Sequence, residues 1–318
     1  MSVTLKRTAL LLALAAAVAA CGKKEETAAT APATPAPAAV PTVTPDAAVL
    51  ASVRALRGND INAFLTAALP AAEVAKIKGD WAKKMTEDPI TDEDRKKFAD
   101  QMAKLTAPGA EDKLFAEAEP QLKKLEAQAA QIPMMIAMGQ GFLQSAIQQN
   151  QDLTEEQKKQ SAALVDAAAK WAQGVKFTDP ALAKAAIAAV SKTARDLNFK
   201  SLDEVRALNY DQGMVKAGIA LAGVKQVAGA YGLKVDEWLD SVKTETVSTT
   251  GDAAKVKVTY SAFGQPFTTE SELVKVDGKW YGKQAIEKWQ KEQAAEAAAA
   301  ANPQAKPDAA QAPAPANK

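Results

Sequence analysis

The sequence predicts an α+β fold: a mostly helical body, then a small antiparallel sheet of about four strands and a C-terminal helix. Three features predict it. Apolar side chains recur three and four positions apart from about residue 46 to residue 242, the period of an amphipathic helix. From residue 243 the period shortens to two, the period of a half-buried strand. The two regimes follow one another instead of alternating, which places helices and strands in separate runs.

The elements can be justified in chain order. Residues 21–45 read as a tether, since Glu25 to Pro45 holds small residues and proline with no aromatic, Leu or Ile and cannot bury enough surface to fold. Such a segment spans roughly 27 Å as a coil and roughly 75 Å fully extended. Within the helical region, 46–242, Thr91 with Asp94, Thr154 with Gln157 and Ser201 with Glu204 have capping-box spacing. Asp179-Pro180 supplies an N-cap with proline at the first helical position. Phe98, Met102 and Leu105, then Leu164, Ala168 and Trp171, then Leu182, Ala186 and Val190 give three apolar stripes. The segment Pro133–Leu143, PMMIAMGQGFL, reads as a core helix, with an adaptable methionine surface as the alternative. Met214–Gly232 is strongly apolar, but Lys216 and Lys225 interrupt it. It is therefore expected to be a buried central helix whose Gly218, Gly223 and Gly229 admit close neighbours, not a membrane span.

After Val242, the alternation of Val256, Val258 and Tyr260 against Lys255, Lys257 and Thr259 marks a strand. Strands are expected at 243–250, 254–263, 267–276 and 279–283, with Gly264-Gln265-Pro266 as a turn and Asp277-Gly278 as a two-residue hairpin. The sheet and the helix from Gln284 form a unit over 243–290 packed on the helical region. Residues 291–318 read as an Ala/Pro-rich tail, helical at first and losing that character at Asn302-Pro303. Every aromatic residue lies between Phe64 and Trp289, which brackets the folded body.

Composition excludes several chemistries. The chain has 39 basic and 38 acidic residues, so it carries no global basic field of the kind that nucleic-acid binding needs. It has no histidine and one cysteine, which removes Ser-His-Asp and Cys-His nucleophile systems and His/Cys metal sites. No GxSxG, SxxK, GxxxxGK or GxGxxG occurs. No cofactor is expected, and catalysis would have to rest on carboxylates, lysine or tyrosine.

Residues 1–20 have a basic start at Lys6 and Arg7, an apolar run from Ala9 to Ala20, and small residues before Cys21, the layout of a signal peptide. Val18-Ala19-Ala20-Cys21 resembles the lipobox of bacterial lipoproteins. The resemblance implies that Cys21 is diacylated on sulfur, becomes the N-terminus and is acylated again on its amine. Two or more chains anchor stably where one is marginal. With Gly22 and Lys23 and no aspartate after the cysteine, resemblance to Gram-negative lipoproteins implies the outer membrane, facing the periplasm. Removal of the leader takes 39 basic residues to 37 against 38 acidic.

Residues 240–283 resemble the closing strands of nuclear-transport-factor-like α+β domains, through the VKVDGKWY hairpin. In such domains a curved sheet wraps helices and can enclose a ligand cavity. This chain departs from the pattern in having a long helical region first.

The remaining candidates for chemistry are few. Asp92-Glu93-Asp94, Glu155-Glu156, Asp203-Glu204 and Asp236-Glu237 each fall in a predicted first helical turn, where acids complement the helix dipole. Trp280 and Tyr281 are candidate binding residues for a sugar or peptidoglycan, with packing the preferred reading because alternation turns one of them inward. Lys318 resembles the terminal lysine by which murein lipoprotein joins peptidoglycan, a single-residue likeness. Three functions are carried forward: a lipid-anchored envelope module without catalytic activity that binds another envelope protein, a module holding a small apolar ligand between sheet and helices, and a carboxylate-dependent cell-wall enzyme.

Overall fold

The computed structural model describes residues 43–301 except residue 152, with side chains as far as residue 295. Cys21, the tether before residue 43 and the tail beyond residue 301 lie outside the described residues. The helices are α1 (Pro45–Arg57), α2 (Ile61–Ala68), α3 (Ala71–Thr86), α4 (Asp92–Thr106), α5 (Ala110–Ala127), α6 (Ile132–Gln149), α7 (Glu155–Gly174), α8 (Pro180–Leu197), α9 (Leu202–Arg206), α10 (Tyr210–Ala230) and α11 (Val235–Asp240). Strands β1 (Lys243–Thr250), β2 (Ala253–Ala262), β3 (Gln265–Val276) and β4 (Lys279–Gly282) follow, then α12 (Lys283–Ala301). The chain is thus α+β in the predicted order, and no strand precedes β1 among the described residues.

Local chemistry starts the helices. Thr91 with Asp94 and Thr154 with Gln157 form complete capping boxes, and Asp179 accepts from the Ala181 and Leu182 amides ahead of Pro180. Ser201 accepts from the Glu204 amide, but the Glu204 carboxylate accepts instead from the Lys200 amide, so that box is half formed. A further box, Asn209 with Gln212, opens α10. In α8 the buried line is Ala183, Ala186, Ala189 and Ala194, and Val190 is exposed, which moves the predicted stripe round by one residue. Alanines admit the close approach of α8 and α10, the most extensively packed pair of helices.

α10 occupies the centre of the helical region and touches α2, α3, α8 and α11. An added Cβ would lie 2.2 Å from Trp81 at Gly213, 2.3 Å from the Asn59 carbonyl oxygen at Gly218 and 2.2 Å from Thr193 Oγ1 at Gly223. Gly229 has nothing within 4 Å, so it does not share the packing role expected of it. The two lysines interrupting this apolar helix have a structural explanation. Lys216 Nζ donates to the Leu197 carbonyl at 2.6 Å, and Lys225 Nζ donates to the Leu56 carbonyl at 2.6 Å. They reach the last turns of α8 and α1, where helix carbonyls lack intrahelical partners and a cation complements the dipole. Lys225 Nζ also pairs with Asp236 Oδ1 at 2.7 Å. Among the described residues, no helix is long and apolar enough to cross a membrane.

The sheet is an antiparallel meander in the order β1-β2-β3-β4. Val256 and Val258 point into the core and pair with Ser271 and Thr269 of β3. Asp277 and Gly278 take φ of 49° and 77°, the left-handed pair that a two-residue hairpin needs. The β2–β3 turn falls on Phe263-Gly264, not on Gly264-Gln265-Pro266; Gln265 and Pro266 instead pair with Ala262 and Ser261. Proline's φ is fixed negative, so Pro266 cannot be one of the two positive-φ residues of the turn, which are Phe263 and Gly264. α1 lies on the sheet: Ala48 and Val49 pack against a core of Ala254, Val256, Val258, Leu273 and Trp280. The Thr246 hydroxyl donates to Asp46 Oδ1 at 2.9 Å, fastening the start of α1 to β1.

Candidate functional site

Two features of the body are not accounted for by folding alone. The first is α6. Its half-buried stripe is Ile132, Ile136, Gln140, Gln144 and Ile147, on a helix that packs against α7. Gln140 and Gln144 Nε2 donate to Asp166 Oδ1 of α7 at 2.8 and 2.6 Å. Met134, Met135, Met138, Phe142 and Leu143 are exposed, Met138 at 69% and Phe142 at 74%. The segment read as a core helix therefore presents its most apolar residues to solvent. The physical reason is that α6 has one helix to lean on, and the Ile/Gln stripe occupies that contact. Monomeric proteins rarely expose contiguous apolar patches above roughly 300–600 Å², and five adjacent large side chains at half exposure or more reach that scale. From Ala127 to Gln151 the chain contains no Asp, Glu, Lys or Arg.

The second feature is a cleft of about 470 Å³ where the β2–β3 turn meets α7 and α11. Ala167, Lys170 and Trp171 of α7 line one wall. Gly232, Leu233 and Lys234 from the α10–α11 turn, with Glu237 and Trp238 of α11, line the second, and Phe263, Gly264 and Gln265 form the third. The Phe263 ring lies 4.7 Å from Trp238 and 6.0 Å from Trp171, centroid to centroid. Trp171 meets Phe177 edge-on at 5.9 Å, and its Nε1 donates to the Tyr231 carbonyl at 3.2 Å. Lys234 pairs with Glu237 at 2.8 Å, and that hydrogen bond holds the Lys234 ammonium above its ordinary pKa of 10.5.

Of the residues singled out from sequence as candidates for chemistry, Glu237 lines the cleft and the others are placed elsewhere. Trp280 and Tyr281 are buried, at 6% and 4% exposure, and neither lines the cleft. β4 is packed by α1, α2 and α12, so the alternation that would turn one ring outward meets protein on each side. The acidic groups stand in the first turns of α4, α7, α9 and α11 as expected. Arg95 Nε pairs with Asp203 Oδ2 at 2.9 Å and lowers that carboxyl's pKa. Among the described residues no group of three or more acids is placed to hold a metal ion. The cleft holds one carboxylate, Glu237, and a smaller depression of about 210 Å³ beside Asn59 and Lys225 holds one, Asp236.

The reading of the sequence missed the cleft, and only part of its signal was available. Phe263-Gly264 between two alternating runs is a turn signal with an unsuitable residue in it, but the arrival of Trp171 and Trp238 is a tertiary event. No protein-family model, curated protein or solved structure matches the chain.

Proposed function

We propose that the chain is a lipid-anchored, periplasm-facing envelope module without catalytic activity, whose work is association, and that α6 docks on α6 of a second copy. The observation that carries this reading is the outward Met134/Met138/Phe142 face on a helix with no charged residue. In a two-fold contact the residues nearest the axis meet their own counterparts, so a charge there would meet a like charge. A charge-free stripe avoids that repulsion. Methionine side chains adapt to an imperfect partner surface, and Gly139 and Gly141, with open space around their Cβ positions, allow backbones to approach. A bilayer is the poorer occupant, because surface-lying helices carry Lys or Arg on the polar face and α6 carries none. An anchor at Cys21 would confine copies to a surface on a short tether, raising their effective concentration so that a weak contact suffices. A different envelope protein and peptidoglycan are the competing partners.

The test uses the chain's single cysteine to advantage. Met138→Cys and, as a control, Asp100→Cys on the exposed face of α4 are expressed as full chains in a Gram-negative host, and the envelopes are treated with a mild oxidant. The reading expects a disulfide-linked dimer with Met138→Cys, little with Asp100→Cys, and loss of the dimer when Phe142→Lys is added. Equal crosslinking at both positions, or none at Met138→Cys, overturns the second copy as occupant. Cys21→Ser tests the anchor separately: membrane extraction is expected to release the protein, and its retention would overturn lipidation.

A further inference from the structure

The geometry points to a binding site for a small amphipathic anion, a flat apolar body carrying one acidic group, in the cleft between the β2–β3 turn, α7 and α11. The site is distinct from the α6 face and does not rest on the reading given to it. Four observations carry it.

The first is the backbone of Phe263. Its φ is 52°, beside Gly264 at 74°. This is a turn that glycine, asparagine and aspartate fill without cost, and a bulky aromatic there is an outlier. The β3–β4 turn of the same sheet has the ordinary solution, Asp277-Gly278. A residue kept in a disfavoured conformation at the mouth of a cleft is the pattern of a functional position.

The second is incomplete burial. Trp171, Trp238 and Phe263 are each only half-buried although they contact one another, so aromatic surface remains open to the cleft. Had the cluster served only to seat the hairpin, closing it would have removed that surface from water. The third is size: about 470 Å³ falls within the range of roughly 300–1,000 Å³ typical of small-molecule sites.

The fourth is the sign of the polar lining. Trp171 Nε1 is already committed to the Tyr231 carbonyl. Glu237, the one acid, is held by Lys234. What remains is Lys170, which has no partner among the described residues, and the Gln265 amide. Lys170 and Trp171 both line the cleft, so a lysine shares it with the aromatic wall. A ligand with apolar rings and one anionic oxygen group answers both, the rings filling the aromatic wall and the anion meeting Lys170.

The test is fluorescence titration of the full chain carrying Met138→Asp and Phe142→Asp, which put two negative charges on the exposed α6 face and make it a poor site for a sulfonate dye. The probes are 1-anilinonaphthalene-8-sulfonate and N-phenyl-1-naphthylamine, which share an aromatic body and differ by the sulfonate. One saturable site is expected for the sulfonate, with the neutral probe about five- to tenfold weaker, the scale of one partly exposed charge interaction. Lys170→Glu should weaken the sulfonate by at least that factor and leave the neutral probe unchanged. Phe263→Asn, a residue suited to the turn, should weaken both. Lys170 is exposed on a helix, so its variant keeps the test valid if Phe263→Asn unfolds. Equal binding of the two probes, or indifference to Lys170→Glu, overturns the anionic class. Unchanged binding by a folded Phe263→Asn overturns the cleft as the site.

Discussion

Gly223 and Gly229 lie on one helix and should respond to the same substitution with opposite signs. Alanine in a helix interior is worth about 0.5–1 kcal/mol over glycine when its methyl has room. At Gly229 nothing lies within 4 Å, so Gly229→Ala should stabilise by up to about 1 kcal/mol. At Gly223 the new Cβ would fall 2.2 Å from Thr193 Oγ1, and overpacking of about 1–3 kcal/mol should dominate. Urea denaturation of both variants checks the pair, and Thr193→Ala should rescue Gly223→Ala. Lys225 is a second residue with a defined outcome, its side chain being 8% exposed and bonded to the Leu56 carbonyl and Asp236. Lys225→Met should cost about 1–2 kcal/mol by removing a donor from the Leu56 carbonyl and leaving Asp236 paired with Arg57 alone, measured as a fall in the urea midpoint at constant slope. The sequence made the glycines and lysines of α10 conspicuous, but not their partners. Asn59, Thr193, Leu56 and Leu197 come from α8, from the end of α1 and from the loop that follows it, and no spacing rule points to them.

Helices and strands were legible where a local rule fixes them. Thr91 and Thr154 cap because a hydroxyl and a carbonyl or carboxylate three residues apart can satisfy each other's amides without outside help. The strands followed from Val256, Val258 and Tyr260, whose alternation has meaning only on a pleated ribbon. α6 was misread for the converse reason: a run such as PMMIAMGQGFL announces an apolar helix but not which face its single neighbour will cover. The junction of α1 with β1 carries a pH dependence of known sign. Hydrogen bonds from Thr246, then Thr44, hold the Asp46 carboxyl below its ordinary pKa of 3.8. A carboxyl depressed in the folded state contributes stability that is complete above 3.8 and is lost as pH falls below it toward the folded value. The group is half-buried at the edge of the sheet, so its share is on the order of 1 kcal/mol. Thr246→Val should lower stability near neutral pH by a few tenths of a kcal/mol up to about that value and flatten the acid limb. Thermal melts between pH 7 and pH 3 would show both effects, and an unchanged acid limb would show that Asp46 does not use this bond.

At the scale of the whole molecule the chain closes on itself. α1 is the first of the described elements, yet Ala48 and Val49 pack against the core of a sheet that begins at Lys243. Nothing local in the sequence records that contact, because periodicity reports which face of an element is apolar and not which distant element will cover it. The arrangement makes the sheet dependent on the start of the helical region, and through Lys225, which bonds the carbonyl at the end of α1, it ties that start to α10. Helices and sheet should therefore unfold together. Val49→Ala removes two methyl groups from the α1–sheet contact and should cost about 1–2 kcal/mol, since the side chain is only partly buried. Native-state hydrogen exchange distinguishes the possibilities. In a single cooperative unit the slowest amides of β2, at Val256 and Val258, and those of α10 lose protection by the same free energy. If the sheet opened as an independent unit, protection would fall in β2 and β3 and stay unchanged in α10. Equal losses are the expected result, because α1 packs on the sheet through Ala48 and Val49 and is tied to α10 through Lys225, so a weakened α1 withdraws contacts from both.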